Sequence, residues 1–579
     1  MKTIINFYKQ RAGRLSFLIL FTGIYTFLLL LFPYILKDII DGIKTEFSPR
    51  QLVNGIMILV TIGLLRSLAG VILPYLRGRT NEIFNLKERN NIFKALLKKG
   101  HSFFNKFPAG DVLERMDLDL GELSWFACSG IFRPLEGIFT ISFAIYFLSR
   151  IDWRLMLIAV LPMSITVLGY FIFSPRVYKY FQKWRQIISL IHNFLQSNFT
   201  GIRIIKAYTL EQRNACEFQN LLQKRIASAK RVFKIESLLM NMFASIEEFG
   251  IVLVLLCGGI FVMHNTLTLG EFVAFMAYIL ILIHPMIDIA NFFVIKKRAE
   301  VQIKRIEEIN DFPPDVKETG KITEFKFNCI TTENLVFAYN ENQKAVLNNI
   351  NVKIPNGKKI GLAGTVGSGK STLLKLLMRL AEPKDGKINL NGYAIRDLGL
   401  AKFRGLFSYV PQEPSLFSDT IYNNIVFGNK IDKNTLERIV EICQLREFIK
   451  NCPRGFEEVI GERGLKLSGG EKQRIAIARA LIKDAKILIL DDATTNLDAE
   501  TEKKLIQKIA EITETIIIVS HRLSILSVCD YVYVLDNGKI VEEGTPEQLI
   551  KKRGLYWQLY QYQLADSELN IQDTTLSLS

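Results

Sequence analysis

The chain lacks paired cysteines. Its seven cysteines (Cys128, Cys216, Cys257, Cys329, Cys443, Cys452 and Cys529) are scattered, with no C-x-x-C among them. That argues against a zinc site or a disulfide framework and suits reduced thiols in a mainly cytosol-facing protein. No cleavable leader is expected: the first apolar run is long enough to span a bilayer, and no small-residue cleavage site follows it. Acidic residues are outnumbered, 57 against 73 Lys and Arg, for a net charge of +16. A surplus of that size raises nucleic acid as a partner; its distribution along the chain argues against one. What is abundant is apolar residues, 49% of the chain, with a mean hydropathy of +0.19. That is high for a soluble enzyme, and 579 residues are too many for one core, so two or more domains are expected.

The first half reads as a membrane domain. Residues 1–14 are polar and basic. Apolar runs follow at about 15–36, 52–75, 131–148, 155–173, 243–263 and 272–295, each long enough to cross or nearly cross the hydrocarbon core as a helix. The expected count is six. Basic residues gather before the first run and after the second, fourth and sixth, which places both termini and both long loops in the cytoplasm of a multi-pass cell-membrane protein. Much of the +16 is this topology signal, so no nucleic-acid partner is expected. Residues 77–104 keep helical periodicity with no proline before Pro108, so the spans are expected to continue into the cytoplasm as helices rising about 1.5 Å per residue.

Ionisable residues within spans are costly and usually face a cavity or a partner. Arg66 lies mid-span; Glu136, Glu247, Glu248 and Asp288 lie nearer the cytoplasmic ends. Two readings stand. One is structural, with salt bridges such as Arg66 to a carboxylate. The other is an acidic inner-leaflet cavity that favours cationic amphiphiles.

Pro313-Pro314 breaks the helical pattern in a linker. Beyond it, Gly364-Thr365-Val366-Gly367-Ser368-Gly369-Lys370-Ser371-Thr372 fits G-x-x-x-x-G-K-[ST] between an apolar strand-like run and a helical pattern, the context a phosphate-binding P-loop requires. Glycines turn backbone N–H groups toward phosphate oxygens, aided by a helix N-terminus. Lys370 is expected on the β- and γ-phosphates and Ser371 on Mg²⁺, so ATP and Mg²⁺ are the expected cofactors.

Further motifs follow in order: Tyr409-Val-Pro-Gln412, Gly461-Glu-Arg-Gly464, Leu467-Ser468-Gly469-Gly470-Glu471, Ile487-Leu-Ile-Leu-Asp491, Thr495-Asn-Leu-Asp498 and Val519-Ser-His521. With these, residues 330–560 resemble the nucleotide-binding domain of an ABC transporter. The membrane half is similar to the exporter branch at Phe103-Phe104, Gly110-Asp111, Arg115 and Asp119, at 201–207 and at 267–275. The implied fold class is an α-helical membrane domain, six transmembrane helices with long cytoplasmic extensions, followed by an α/β P-loop ATP-binding cassette. The expected boundaries are 1–310 for the membrane domain, 311–326 for a linker, 327–565 for the cassette and 566–579 for a disordered polar tail.

The resemblance also implies roles. Tyr339 would stack on adenine. Gln412 and Asp491 would join Ser371 on Mg²⁺. Asp498 would lie in the D-loop, and His521 would be the switch histidine. Ser468, Gly469, Gly470 and Glu471 match the LSGGQ signature except for the final Glu, and would serve a nucleotide bound by a partner chain. One membrane domain fused to one cassette is a half-transporter, so a dimer is expected. With no extra domain ahead of the first span, the peptidase-containing bacteriocin exporters are not expected.

One departure matters. The family usually carries Glu after the Walker B Asp, to polarise the attacking water; here it is Asp492. Its carboxylate is retracted by about 1 Å, and a misplacement of that size costs about 10²-fold in rate. This resembles the degenerate-site subunit of heterodimeric multidrug exporters (BmrC or YheI type), whose partner would carry the Glu and an altered signature. The implied function is ATP-driven export of hydrophobic or amphipathic compounds by alternating access, with membrane lipids around the transporter. The alternatives are a homodimer with weak Asp-based hydrolysis and a lipid or lipid-linked glycan flippase.

Overall fold

The computed structural model describes residues 1–44, 48–339, 344–461, 467–495 and 497–563. It divides into two units: residues 1–98 with 106–312, and residues 99–105 with the chain from Pro313 onward. The expected tail at 566–579 lies outside the described residues.

The first unit is helical. Its long helices are Ala12–Lys44, Pro49–Leu96, Ile131–Ile151, Trp153–Thr200, Glu211–Met263 and Leu269–Asp311. Local chemistry sets their starts. Ser48 and Gln51 form a reciprocal capping box ahead of Pro49, and Thr268 and Glu271 form another. Asp152 accepts hydrogen bonds from the Arg154 and Leu155 N–H groups. The 48-residue helix Pro49–Leu96 is about 70 Å long, more than twice the roughly 30 Å of a bilayer core, so the apolar run and its basic continuation form one rod. Among the described residues, Ala12–Ile43, Pro49–Leu96 and Ala109–Ile151 are long and apolar enough to cross a membrane; Trp153–Pro162, Glu248–Met263 and Leu269–Leu282 are shorter apolar stretches. Inside the bundle, Tyr278 donates to the Leu30 carbonyl at 2.8 Å and stacks on Phe147.

Arg66 is exposed. On the same helix, Arg77, among the basic residues just past the apolar run, does meet a carboxylate: its Nη1 lies 2.7 Å from Glu136 Oε2, with Nη2 on Thr22. Asp288 is half-buried and Glu248 exposed; the Glu247 side chain lies outside what is described.

The Gly110-Asp111, Arg115 and Asp119 pattern now has a physical reason. Arg305, near the end of Leu269–Asp311, pairs with Asp111 at 3.0 Å, Asp119 at 2.9 Å and Glu114 at 3.6 Å. Arg115 pairs with Asp111 and Glu308, each at 2.9 Å. Residues 115–119 form a π-helical turn, a distortion common at functional positions. The shared network ties the base of one helix to the last helix before the linker.

Among the described residues, the cassette unit carries two sheets. Its strands are β1 (Cys329–Phe337), β2 (Leu347–Ile350), β3 (Lys353–Pro355), β4 (Lys359–Gly364), β5 (Asp385–Leu390), β6 (Tyr393–Ala394), β7 (Phe407–Val410), β8 (Ile487–Asp491), β9 (Thr515–Val519), β10 (Tyr531–Asp536) and β11 (Lys539–Gly544). The larger sheet has the order β11-β10-β4-β9-β8-β7. Its neighbours run parallel except β11, which is antiparallel to β10. Leu488 and Leu490 of β8 enter one core, Ile487 and Ile489 the other. A strand buried on both faces needs a continuous apolar run, which Ile487–Leu490 and Ile516–Val519 supply. Residues 99–105 belong to this unit: the Ser102 N–H donates to Asp315 Oδ2 at 3.0 Å, and His101 lies beside Tyr339.

Candidate ATP site

Four parallel strands end side by side, and each is followed by a candidate site residue. β4 runs into the P-loop, β9 into Ser520-His521, β8 ends on Asp491 and β7 leads to Gln412. Ligands of open α/β sheets bind at such carboxyl ends.

Two of the P-loop glycines, Gly364 and Gly369, are required by space. A Cβ on Gly364, at φ +140°, would lie 2.0 Å from the Leu535 carbonyl oxygen; on Gly369, at φ +101°, it would lie 2.6 Å from Leu347. Gly369 is also the N-cap of the helix Lys370–Leu377, and no side chain caps it. The first N–H groups of that helix are thus available to an anion. Thr365 Oγ1 is held by Asp536 at 2.9 Å. Val366 is exposed, and Ser368 is buried under the loop.

Lys370 is buried, and its Nζ donates to the carbonyls of Gly364 at 3.0 Å and Thr365 at 2.8 Å. Burial pushes its pKa down, opposed by Asp492 and Asp491. A buried ammonium with carbonyl acceptors fits a polyphosphate. Ser371 Oγ donates to Asp491 Oδ1 at 3.1 Å, and the Tyr409 hydroxyl donates to Oδ2 at 3.1 Å. Burial pushes Asp491 up and Tyr409 well above its ordinary range, so Tyr409 remains a donor. The Ser371 hydroxyl and Asp491 carboxylate form a hard-oxygen pair suited to Mg²⁺; Gln412 is exposed, free to reach the same ion.

Tyr339 donates to or accepts from Thr372 Oγ1 at 3.0 Å and packs edge-on against Phe337. Lys375 lies 5.7 Å from the ring centroid. The ring stays 43% exposed, enough to offer a face to a purine.

Asp492 adopts φ +47°, a left-handed conformation uncommon for a residue with a Cβ, and is buried. Its Oδ1 accepts the His521 N–H at 2.9 Å, and Oδ2 lies 3.4 Å from His521 Nε2. One carboxylate oxygen is thus held by the His521 backbone, and the other lies near the His521 ring.

The final Glu of the signature has a local explanation. Ser468 Oγ accepts the Glu471 N–H at 3.2 Å, and Glu471 Oε2 accepts the Ser468 N–H at 2.8 Å. That capping box starts the helix Gly469–Ile482. Asp498 similarly caps Ala499–Ile512 through the Thr501 N–H, which holds its pKa below the usual carboxylate range. Residues 462–464 and Asn496 of the neighbouring motifs lie outside the described residues. Two residues escaped notice as functional candidates. Tyr409 was visible only as part of a motif. Gln473, fully buried, donates to Thr495 Oγ1 at 3.2 Å and so links the signature helix to the segment after Asp492.

Residues 15–286 match the model of the ABC transporter transmembrane region, and residues 347–495 match that of the ABC transporter. The chain is 30% identical to the probable multidrug resistance ABC transporter ATP-binding/permease protein YheI of Bacillus subtilis, over 92% of each chain. It is 31% identical to the ATP-dependent lipid A-core flippase of Syntrophus aciditrophicus, over 83% of this chain and 80% of that one. A bacterial Atm1-family ABC exporter solved with ATP bound has the same fold, with a TM-score of 0.80 and 22% identity over 96% of this chain and 98% of the other. The chain therefore belongs to the ABC transporter family, as a membrane-embedded exporter whose transmembrane region is fused to its own ATP-hydrolysing cassette.

Proposed function

We propose that the chain is one half of a dimeric exporter of hydrophobic or amphipathic compounds, paired with a second, different half-transporter, and that its own ATP site turns over slowly. The observation that carries the slow site is Asp492: the shorter carboxylate accepts the His521 N–H at one oxygen and has the His521 ring beside the other. The signature at Ser468–Glu471 is a well-formed helix start and would serve the partner's ATP. Gln412, Ser371 and Asp491 would hold Mg²⁺, which supplies charge neutralisation between phosphates when bound.

The proposed cycle is alternating access through six spans, with both termini cytoplasmic. Lys370, Tyr339 and the P-loop bind the nucleotide in this chain; the partner's signature closes over it. Nucleotide shifts the conformational equilibrium only by preferring the closed dimer. The ion network at Arg305 is suited to carrying movement between helices, since it joins the helix before the linker to residues 111–119. Measuring ATP turnover of the pair, with the equivalent acid changed in one chain at a time, tests the division of labour. The reading fails if both sites contribute equally.

A second reading, a lipid or lipid-linked glycan flippase acting as a homodimer, is favoured by the 31% identity to a lipid A-core flippase. Stimulation of ATPase by drugs or by lipids separates the two. If an acidic inner-leaflet cavity selects cationic amphiphiles, neutralising Glu247, Glu248 and Asp288 together lowers export of a cationic dye several-fold while a neutral substrate is spared. Unchanged dye export from inverted vesicles removes the cavity from the account.

A further inference from the structure

The turn at Ser520–Leu523 is held by one of its own side chains and by others from elsewhere in the cassette. Asp492 takes the His521 N–H, and Ser520 Oγ takes the Arg522 N–H at 3.0 Å. Arg522 is in turn fixed by the buried Glu502 and by the Leu497 carbonyl at 3.2 Å. Two further backbone groups, the His521 carbonyl and the Leu523 N–H, both go to one side chain far along the chain. Gln563 Nε2 donates to His521 O, and Gln563 Oε1 accepts the Leu523 N–H at 2.9 Å.

Gln563 reaches this turn because the helix that carries it, residues 555–563, is anchored at its other end. Glu542 of β11 accepts the Leu555 N–H and, at 3.3 Å, the Tyr556 N–H, so a carboxylate caps the helix start and meets its positive end. Gly554 makes room for it, since a Cβ there would lie 1.9 Å from Glu542 Oε1. Tyr556 is fully buried, and Leu555, Leu559 and Tyr560 pack on the same core. A helix fixed along its length delivers the Gln563 amide to the switch turn as a two-point clamp. Gln563 itself is only half-buried, so the fold does not need it for packing.

We infer that Gln563 is a positioning residue for His521: the C-terminal helix sets where the imidazole sits and so tunes the cassette's discrimination of ATP from ADP. This rests on the reading of His521 as the switch histidine that meets the γ-phosphate. An amide clamp on both sides of the turn limits its backbone freedom, and a charge-assisted contact to phosphate depends on that placement.

The test uses the full chain in lipid vesicles, with fluorescent ATP and ADP analogues and Mg²⁺, and reads the ratio of the two dissociation constants. His521→Ala is expected to lower the preference for ATP about tenfold. Gln563→Leu is expected to do the same, with Tm unchanged. Gln563→Glu, which keeps the acceptor for Leu523 and loses the donor for His521, is also expected to lose the preference. In the His521→Ala background, Gln563→Leu is expected to have no further effect, the non-additivity of groups that act through one another. A full additional loss in that background, or an intact preference in Gln563→Leu when His521→Ala has lost it, overturns the inference and leaves the role of His521 standing. An intact preference in both variants overturns the inference and the switch reading together.

Discussion

Replacing Asp492 by Glu raises ATP turnover at this chain's own site by about ten- to a hundredfold. The physical case rests on reach. A general base works within hydrogen-bond distance of its water, and a misplacement of about 1 Å costs about 10²-fold. In the structure the Asp492 carboxylate is short, and one of its oxygens is committed: Oδ1 accepts the His521 N–H at 2.9 Å, while the His521 ring lies 3.4 Å from Oδ2. One more methylene gives the carboxylate the reach of the usual Glu. The backbone opposes the change only weakly: at φ +47° Asp is better tolerated than Glu, but both carry the same Cβ. ATP affinity should change by less than about threefold, since Lys370, the P-loop and Tyr339 are untouched. Steady-state ATPase assays on the purified variant, beside nucleotide-binding measurements, check both halves. A Glu variant as slow as the parent would show that the limit lies elsewhere.

Replacing Lys370 by Met lowers ATP affinity by about 10²- to 10³-fold, the loss expected when a charged partner of a phosphate is removed from a buried site. The same substitution has an opposite effect on the nucleotide-free protein. Burial depresses the Lys370 pKa in the folded state. Between the depressed value and the ordinary one, the unfolded chain binds more protons, so stability rises with pH in that window. Below that window the buried ammonium is a full cost to the folded state. Lys370→Met should therefore match or exceed the parent's Tm without nucleotide, and should lose the rise in Tm that saturating ATP gives the parent. Thermal shift assays with and without Mg-ATP read both. A variant that loses stability without nucleotide would mean that Lys370 props the P-loop open rather than waiting for phosphate.

Much of this site was legible from residue patterns because its parts are local. The P-loop needs glycines where only glycine fits, as at Gly364 and Gly369. Strands buried on both faces must be apolar throughout, which made β8 and its terminal Asp491 stand out. Other features depend on partners far apart in the chain. Arg305 and Asp111 are separated by 194 residues, and nothing in either neighbourhood names the other. Mid-span Arg66 drew attention by its depth, whereas Arg77, read as flanking charge, makes the ion pair with Glu136. Gln563 has no motif of its own; its meaning comes from where the helix 555–563 ends. Glu471 is an intermediate case. Read as a departure from LSGGQ, it is also the fourth residue of a Ser-x-x-Glu capping box, a pattern visible in the sequence and confirmed by the paired bonds to Ser468. The placing of residues 99–105 with the cassette could not be seen from helical periodicity, which runs unbroken through that region.

The most direct measurement is the ATPase rate of the full chain purified alone in lipid, alongside its Asp492→Asn variant and its ATP affinity. The account predicts that the chain binds ATP normally, hydrolyses it slowly, and changes little in rate when Asp492 becomes Asn. Robust turnover by the lone chain, abolished by Asp492→Asn, would contradict it.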